Sequence, residues 1–75
     1  MNKHRKKVTT ELFSKLVDIR DTLEMVLEEE EEAKENFPEN LRNSERYEAM
    51  EETYFNLQEA FNDIENAVDL LGSIE

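Results

Sequence analysis

Cysteine is absent from the chain, glycine and proline occur once each, and the single histidine is His4. Without cysteine there is neither a disulfide framework nor a thiolate metal site. One glycine and one proline exclude collagen, flexible Gly-rich linkers and nearly every β-hairpin architecture. Gly72 alone cannot build a phosphate-cradling loop of the Walker or Rossmann kind. Bases are scarce as well: 9 Lys and Arg stand against 20 Asp and Glu in 75 residues, a formal charge of -11. Lys3, Arg5, Lys6 and Lys7 crowd into the first seven positions, so residues 8–75 carry 5 bases and 20 acids, a net of -15. No apolar run approaches the ~18–20 residues that span a bilayer, and Met1–Lys7 is not followed by the apolar core of a signal peptide. The expectation is one small, soluble, cytoplasmic domain with a basic flexible tail over residues 1–8 and an acidic body over 9–75.

The body is patterned for helices. Tyr47, Met50, Tyr54, Leu57, Phe61, Ile64, Val68 and Leu71 follow one another at alternating spacings of 3 and 4. Such an unbroken heptad seam keeps one stripe of a helix facing a partner. Ala60, Ala67 and Ile74 repeat beside it and widen the apolar face, while Glu51, Glu52, Glu59, Asp63, Glu65 and Asp69 read as the solvated side. This predicts a helix over about 44–72. In the first half, Leu12, Leu16, Ile19, Leu23 and Val26 are spaced 4, 3, 4, 3. Glu30 and Ala33 continue the series to Phe37. Thr9 reads as the N-cap, with Val8 and Phe13 as a hydrophobic staple around it, and the predicted helix runs over about 10–36. Phe13, Val17 and Leu27 extend the apolar surface beyond that seam.

Between the two lies Asn36-Phe-Pro-Glu-Asn-Leu-Arg-Asn43. Pro38 lacks an N–H and disfavours helix at the residue before it, so the turn falls at about 37–43. Asn43 or Ser44 caps the next helix, Glu45 and Glu48 suit its positive first turn, and Phe37 with Leu41 is expected to plug the hairpin end. A short connection between long helices makes them antiparallel neighbours. The expected fold class is all-α, a two-helix hairpin. Two helices touching along one seam bury too little, so the simplest closure is a homo-oligomer, a dimeric four-helix bundle, or a higher ring. Leu12, Leu16, Ile19, Leu23 and Val26 with the eight seam residues of the second helix form its expected core.

Catalytic chemistry finds no foothold. His4 lies in the basic tail, Ser14, Ser44 and Ser73 have no local base, and the chain is read as non-enzymatic with no cofactor. A di-iron bundle needs inward Glu residues and a Glu-x-x-His motif; only Glu30 is on the seam, and a seam that leaves the core there explains it as well. Glu28, Glu29, Glu30, Glu31 and Glu32 make a dense negative patch near the turn, either a solvated end or phosphate-like charge offered to a basic groove on another protein. Net charge of this size exceeds what solubility requires and steers the chain away from nucleic acid. Lys3, Arg5, Lys6 and Lys7, extended by Lys15 and Arg20, are either a solubilising end or, converging in an oligomer, a pocket for a phosphorylated nucleotide. Phe55 falls on the polar side beside Glu51, Glu52 and Glu59, with Leu70 and Leu27 similarly displaced, which makes Phe55 the candidate partner contact.

The stretch Asn36-Phe-Pro-Glu-Asn-Leu-Arg-Asn-Ser-Glu-Arg-Tyr-Glu-Ala-Met-Glu-Glu52 resembles the turn of small acidic helical-hairpin proteins found in phages and mobile elements of Gram-positive and gut bacteria. The likeness continues through Leu57-Gln-Glu-Ala-Phe-Asn-Asp-Ile-Glu-Asn-Ala67, covers about residues 18–75, and leaves out the Lys3–Lys7 tail. It implies a helical hairpin in a viral or mobile-element setting and supplies no catalytic residue. Three functions follow as expectations: an acidic inhibitor of a host protein acting by nucleic-acid mimicry, such as a phage counter-defence protein; an oligomeric sponge for a phosphorylated nucleotide signal; and a structural or RNA-handling hairpin dimer. The last needs a basic stripe that Lys15, Arg20, Lys34, Arg42 and Arg46 do not form.

Overall fold

Asn2 is a strong helix cap, and nothing in the seven residues after it breaks a helix. In the computed structural model, which describes residues 1–74, α1 accordingly runs Lys3–Glu35, with the Asn2 Oδ1 accepting the Arg5 N–H at 2.8 Å. This corrects the start expected at Thr9. Lys3 to Val8 form the first turns of α1 instead of a separate tail, and the neighbouring Thr10 hydroxyl donates to the Lys6 carbonyl at 2.9 Å. Four bases near a helix N-terminus oppose the helix dipole, at a few tenths of a kcal/mol each by general scale; the Asn2 cap offsets part of it.

α1 ends where Pro38 forbids continuation. Asn36 closes the last turn through its N–H to the Glu32 carbonyl at 3.0 Å, and a single 3₁₀ turn, Glu39–Leu41, reverses the chain. The carbonyls left open at the end of a helix need donors. Arg42 supplies them: its Nη2 donates to Glu35 O at 3.1 Å and its Nε to Phe37 O at 3.4 Å. Ser44, not Asn43, caps α2 (Glu45–Gly72); its Oγ accepts the Tyr47 N–H at 3.3 Å and donates to Leu41 O at 2.6 Å. Phe37 packs on Tyr47 with centroids 5.3 Å apart. Leu41, expected beside it in the plug, stays exposed.

The helices lie side by side as a hairpin of 59 × 15 × 14 Å, with no strand among the described residues. No described helix is long and apolar enough to cross a membrane. The eight seam residues of α2 all turn towards α1, and Val68, at 5% exposure, is the one buried residue described. The α1 seam differs from expectation. The half-buried residues of α1 are Thr9, Phe13, Leu16, Arg20, Leu23, Leu27, Glu30 and Lys34, again at alternating 4 and 3, with Val17 beside them. Leu16 and Leu23 belong to both series, but Leu12, Ile19 and Val26 lie outside, at 49%, 50% and 40% exposure. Leu27, expected to be displaced, faces α2.

Packing explains the choice. A Cβ on Gly72 would stand 3.1 Å from Phe13 Cε2, so the Phe13 ring packs closely against α2 where Gly72 carries no side chain. Arg20 and Lys34 cover the seam with their aliphatic stems while their heads reach charge or a ring. The Lys34 Nζ stands 4.8 Å from the Tyr54 ring centroid, and Arg20 bonds Asp21 at 3.2 Å.

Candidate partner-binding surfaces

Written as heptads, the inner series puts Phe13, Arg20, Leu27 and Lys34 at a and Leu16, Leu23 and Glu30 at d. In α2, Tyr47, Tyr54, Phe61 and Val68 are a, with Met50, Leu57, Ile64 and Leu71 at d. Antiparallel helices carry their e positions on one side of the seam and their g positions on the other. Thr10 and Gly72, both e, line one notch at the open end of the hairpin, as that geometry requires.

The two sides differ in chemistry. The g side holds Leu12, Ile19 and Val26 on α1 and Ala60 and Ala67 on α2, with Val8 and Leu70 on the adjacent c rows. Of the exposed large apolar residues within the helices, only Met25 and Phe55 lie elsewhere. The e side carries Glu24, Glu31, Glu51 and Glu65, and the neighbouring rows add Glu28, Glu48, Glu52 and Glu59. Phe55, 58% exposed, stands on that acidic side.

Charge is also divided along the rod. Residues 20–65, the half containing the turn, carry 4 bases and 16 acids, a net of -12, whereas the open half carries 5 bases and 4 acids. Among the described residues Arg20–Asp21 is the only ion pair, so most of these carboxylates have no cationic partner. Glu28 to Glu32 do not make a single stripe: at 100° per residue they encircle α1, with Glu30 half-buried at the seam and the other four exposed. With the glutamates of α2 they form a negative collar. No group of three or more His, Asp or Glu side chains converges among the described residues.

The six bases singled out from the sequence are not gathered in one hairpin. Lys3, Arg5, Lys6 and Lys7 surround the first turns of α1, and Arg20 lies about 25 Å from Lys3 at 1.5 Å per residue. Only Lys6 reaches the notch at the open end, with Thr9, Thr10, Phe13, Leu71, Gly72 and Ile74. The face the sequence reading missed is that of Leu12, Ile19 and Val26, which were assigned inward; their spacing of seven was the signal available. Comparison of the chain with protein-family models, curated proteins and solved structures found no match.

Proposed function

We propose that the chain is a non-enzymatic, self-associating binding protein whose acidic side occupies a basic groove on another protein, in the manner of a nucleic-acid backbone. The observation that carries this reading is the net charge of -12 on residues 20–65, held on two rigid helices with one ion pair described among them. Phe55 supplies an exposed aromatic anchor within that acidic side, and aromatic residues are enriched at protein interfaces. Inhibition by stoichiometric occupation of a host protein needs no active site, and it suits the viral or mobile-element setting that the resemblance of the turn to small acidic hairpin proteins implies.

Binding of this kind depends on long-range charge. Raising salt from about 0.1 M to about 1 M shortens the Debye length from about 10 Å to about 3 Å. Host proteins captured on the immobilised chain at low salt should elute as salt rises. A variant carrying Glu28→Lys, Glu29→Lys, Glu31→Lys and Glu32→Lys should lose them. Capture that survives both changes would dismiss mimicry.

A further inference from the structure

A hairpin this thin leaves surface that a compact chain would bury. Its accessible area is 5994 Å², about 1,200 Å² above the ~4,800 Å² expected of a compact 8.9 kDa monomer. Its radius of gyration is 17.2 Å, against about 11 Å for a compact domain of this length. The apolar part of that excess is concentrated on the g side, where Ile19, Leu23 and Val26 rim a shallow notch with Asp18 and Thr22. A rod of 59 × 15 Å offers on that side an area on the order of 800 Å², the usual share of one partner in a stable interface.

We infer that this side is covered by a second copy of the chain lying antiparallel to the first, with the twofold axis crossing α1 at Ile19. The inference rests on the self-association proposed above and specifies its face and direction. Ile19 is the midpoint of Lys3–Glu35, so two α1 helices paired about it overlap along their whole length. A twofold interface must be self-complementary. Here Ile19 meets Ile19 of the second copy, and Leu12 comes level with Val26 at each end. Charge decides the direction. The antiparallel arrangement sets each -12 half beside an open half of net +1. A twofold along the rod would instead bring the two -12 halves together. The acidic side, with Phe55, remains outward in the antiparallel dimer and free for the partner.

The absence of cysteine makes the test clean. Wild-type protein should sediment at twice the 8.9 kDa chain mass. Ile19→Cys should link to itself under mild oxidation, because a disulfide needs Cα atoms within about 7 Å. Leu12→Cys should link to Val26→Cys when the two variants are mixed. Ile19→Asp should weaken association by about a hundredfold, since a carboxylate would be buried unpaired, while Phe55→Ser leaves the dimer intact. A monomeric wild type would end self-association altogether. A dimer in which Ile19→Cys fails to self-link but links to Ala67→Cys would overturn only the antiparallel geometry.

Discussion

On the inner face of α2 the Tyr54 ring carries the Lys34 ammonium 4.8 Å from its centroid and lies in the field of two carboxylates from α1. Partial burial, first, and then the charges of Glu31 and Glu35 raise the Tyr54 phenol above its ordinary value of 10.0. A group whose folded value is raised holds its proton more tightly in the folded state. Its contribution is therefore complete below pH 10.0 and is lost as pH climbs through the higher folded value. Stability should thus fall on the alkaline side of that point, and Tyr54→Phe should flatten the fall. Tyrosinate absorbance compared between wild type and Tyr54→Phe checks the direction: a Tyr54 signal appearing below pH 10.0 would contradict it. None of this was visible in the sequence, where Tyr54 is one seam residue among eight. Its electrostatic partners come from the opposite helix, at the register set by Phe13 against Gly72 and Phe37 against Tyr47.

Each helix owes its ends to side chains close in sequence and its facing to side chains far away. Ser44 was legible as a cap because Ser, Asn and Asp compete locally for helix N–H groups. Replacing it by alanine removes the bond to the Tyr47 N–H and should cost about 1 kcal/mol in urea or thermal unfolding. An unchanged midpoint would mean that Arg42 and the Phe37–Tyr47 contact hold the turn unaided. The α2 seam was legible because only one heptad series threads its apolar residues. α1 offers two overlapping series that share Leu16 and Leu23, so periodicity alone could not choose between Leu12, Ile19 and Val26 and the set containing Phe13 and Leu27. Contact with α2 chose the second set. It accepted Arg20 and Lys34 on the inner face because their stems pack while their heads stay near the edge.

For the whole molecule, the governing facts are a narrow rod and charge of one sign gathered in one half. Self-repulsion among unpaired carboxylates destabilises the folded state. Added salt should therefore raise the melting temperature. The largest gain should come between about 0.01 M and about 0.15 M, where the Debye length shrinks from about 30 Å to about 8 Å. A melting temperature that falls over this range would show that attraction between basic and acidic ends outweighs the repulsion. The glutamate run was plain in the sequence as a quantity of charge. Its shape was not, because consecutive helical residues spread around the axis, and the run became part of a collar only when α2 was laid beside it.

What the sequence determined by itself is local: two long helices, a break at Pro38, the cap of the second helix, a charge of -11 and its crowding towards the turn. These follow from backbone propensity, hydrogen bonding within a few residues and simple counting. The tertiary structure decided which of two apolar stripes on α1 turns inward, which bases and acids come level, and which side of the hairpin is left apolar. Those outcomes depend on contacts between residues as many as 59 positions apart in the chain, such as Phe13 with Gly72. A periodic pattern records that a face exists, whereas only the partner helix fixes the direction it points.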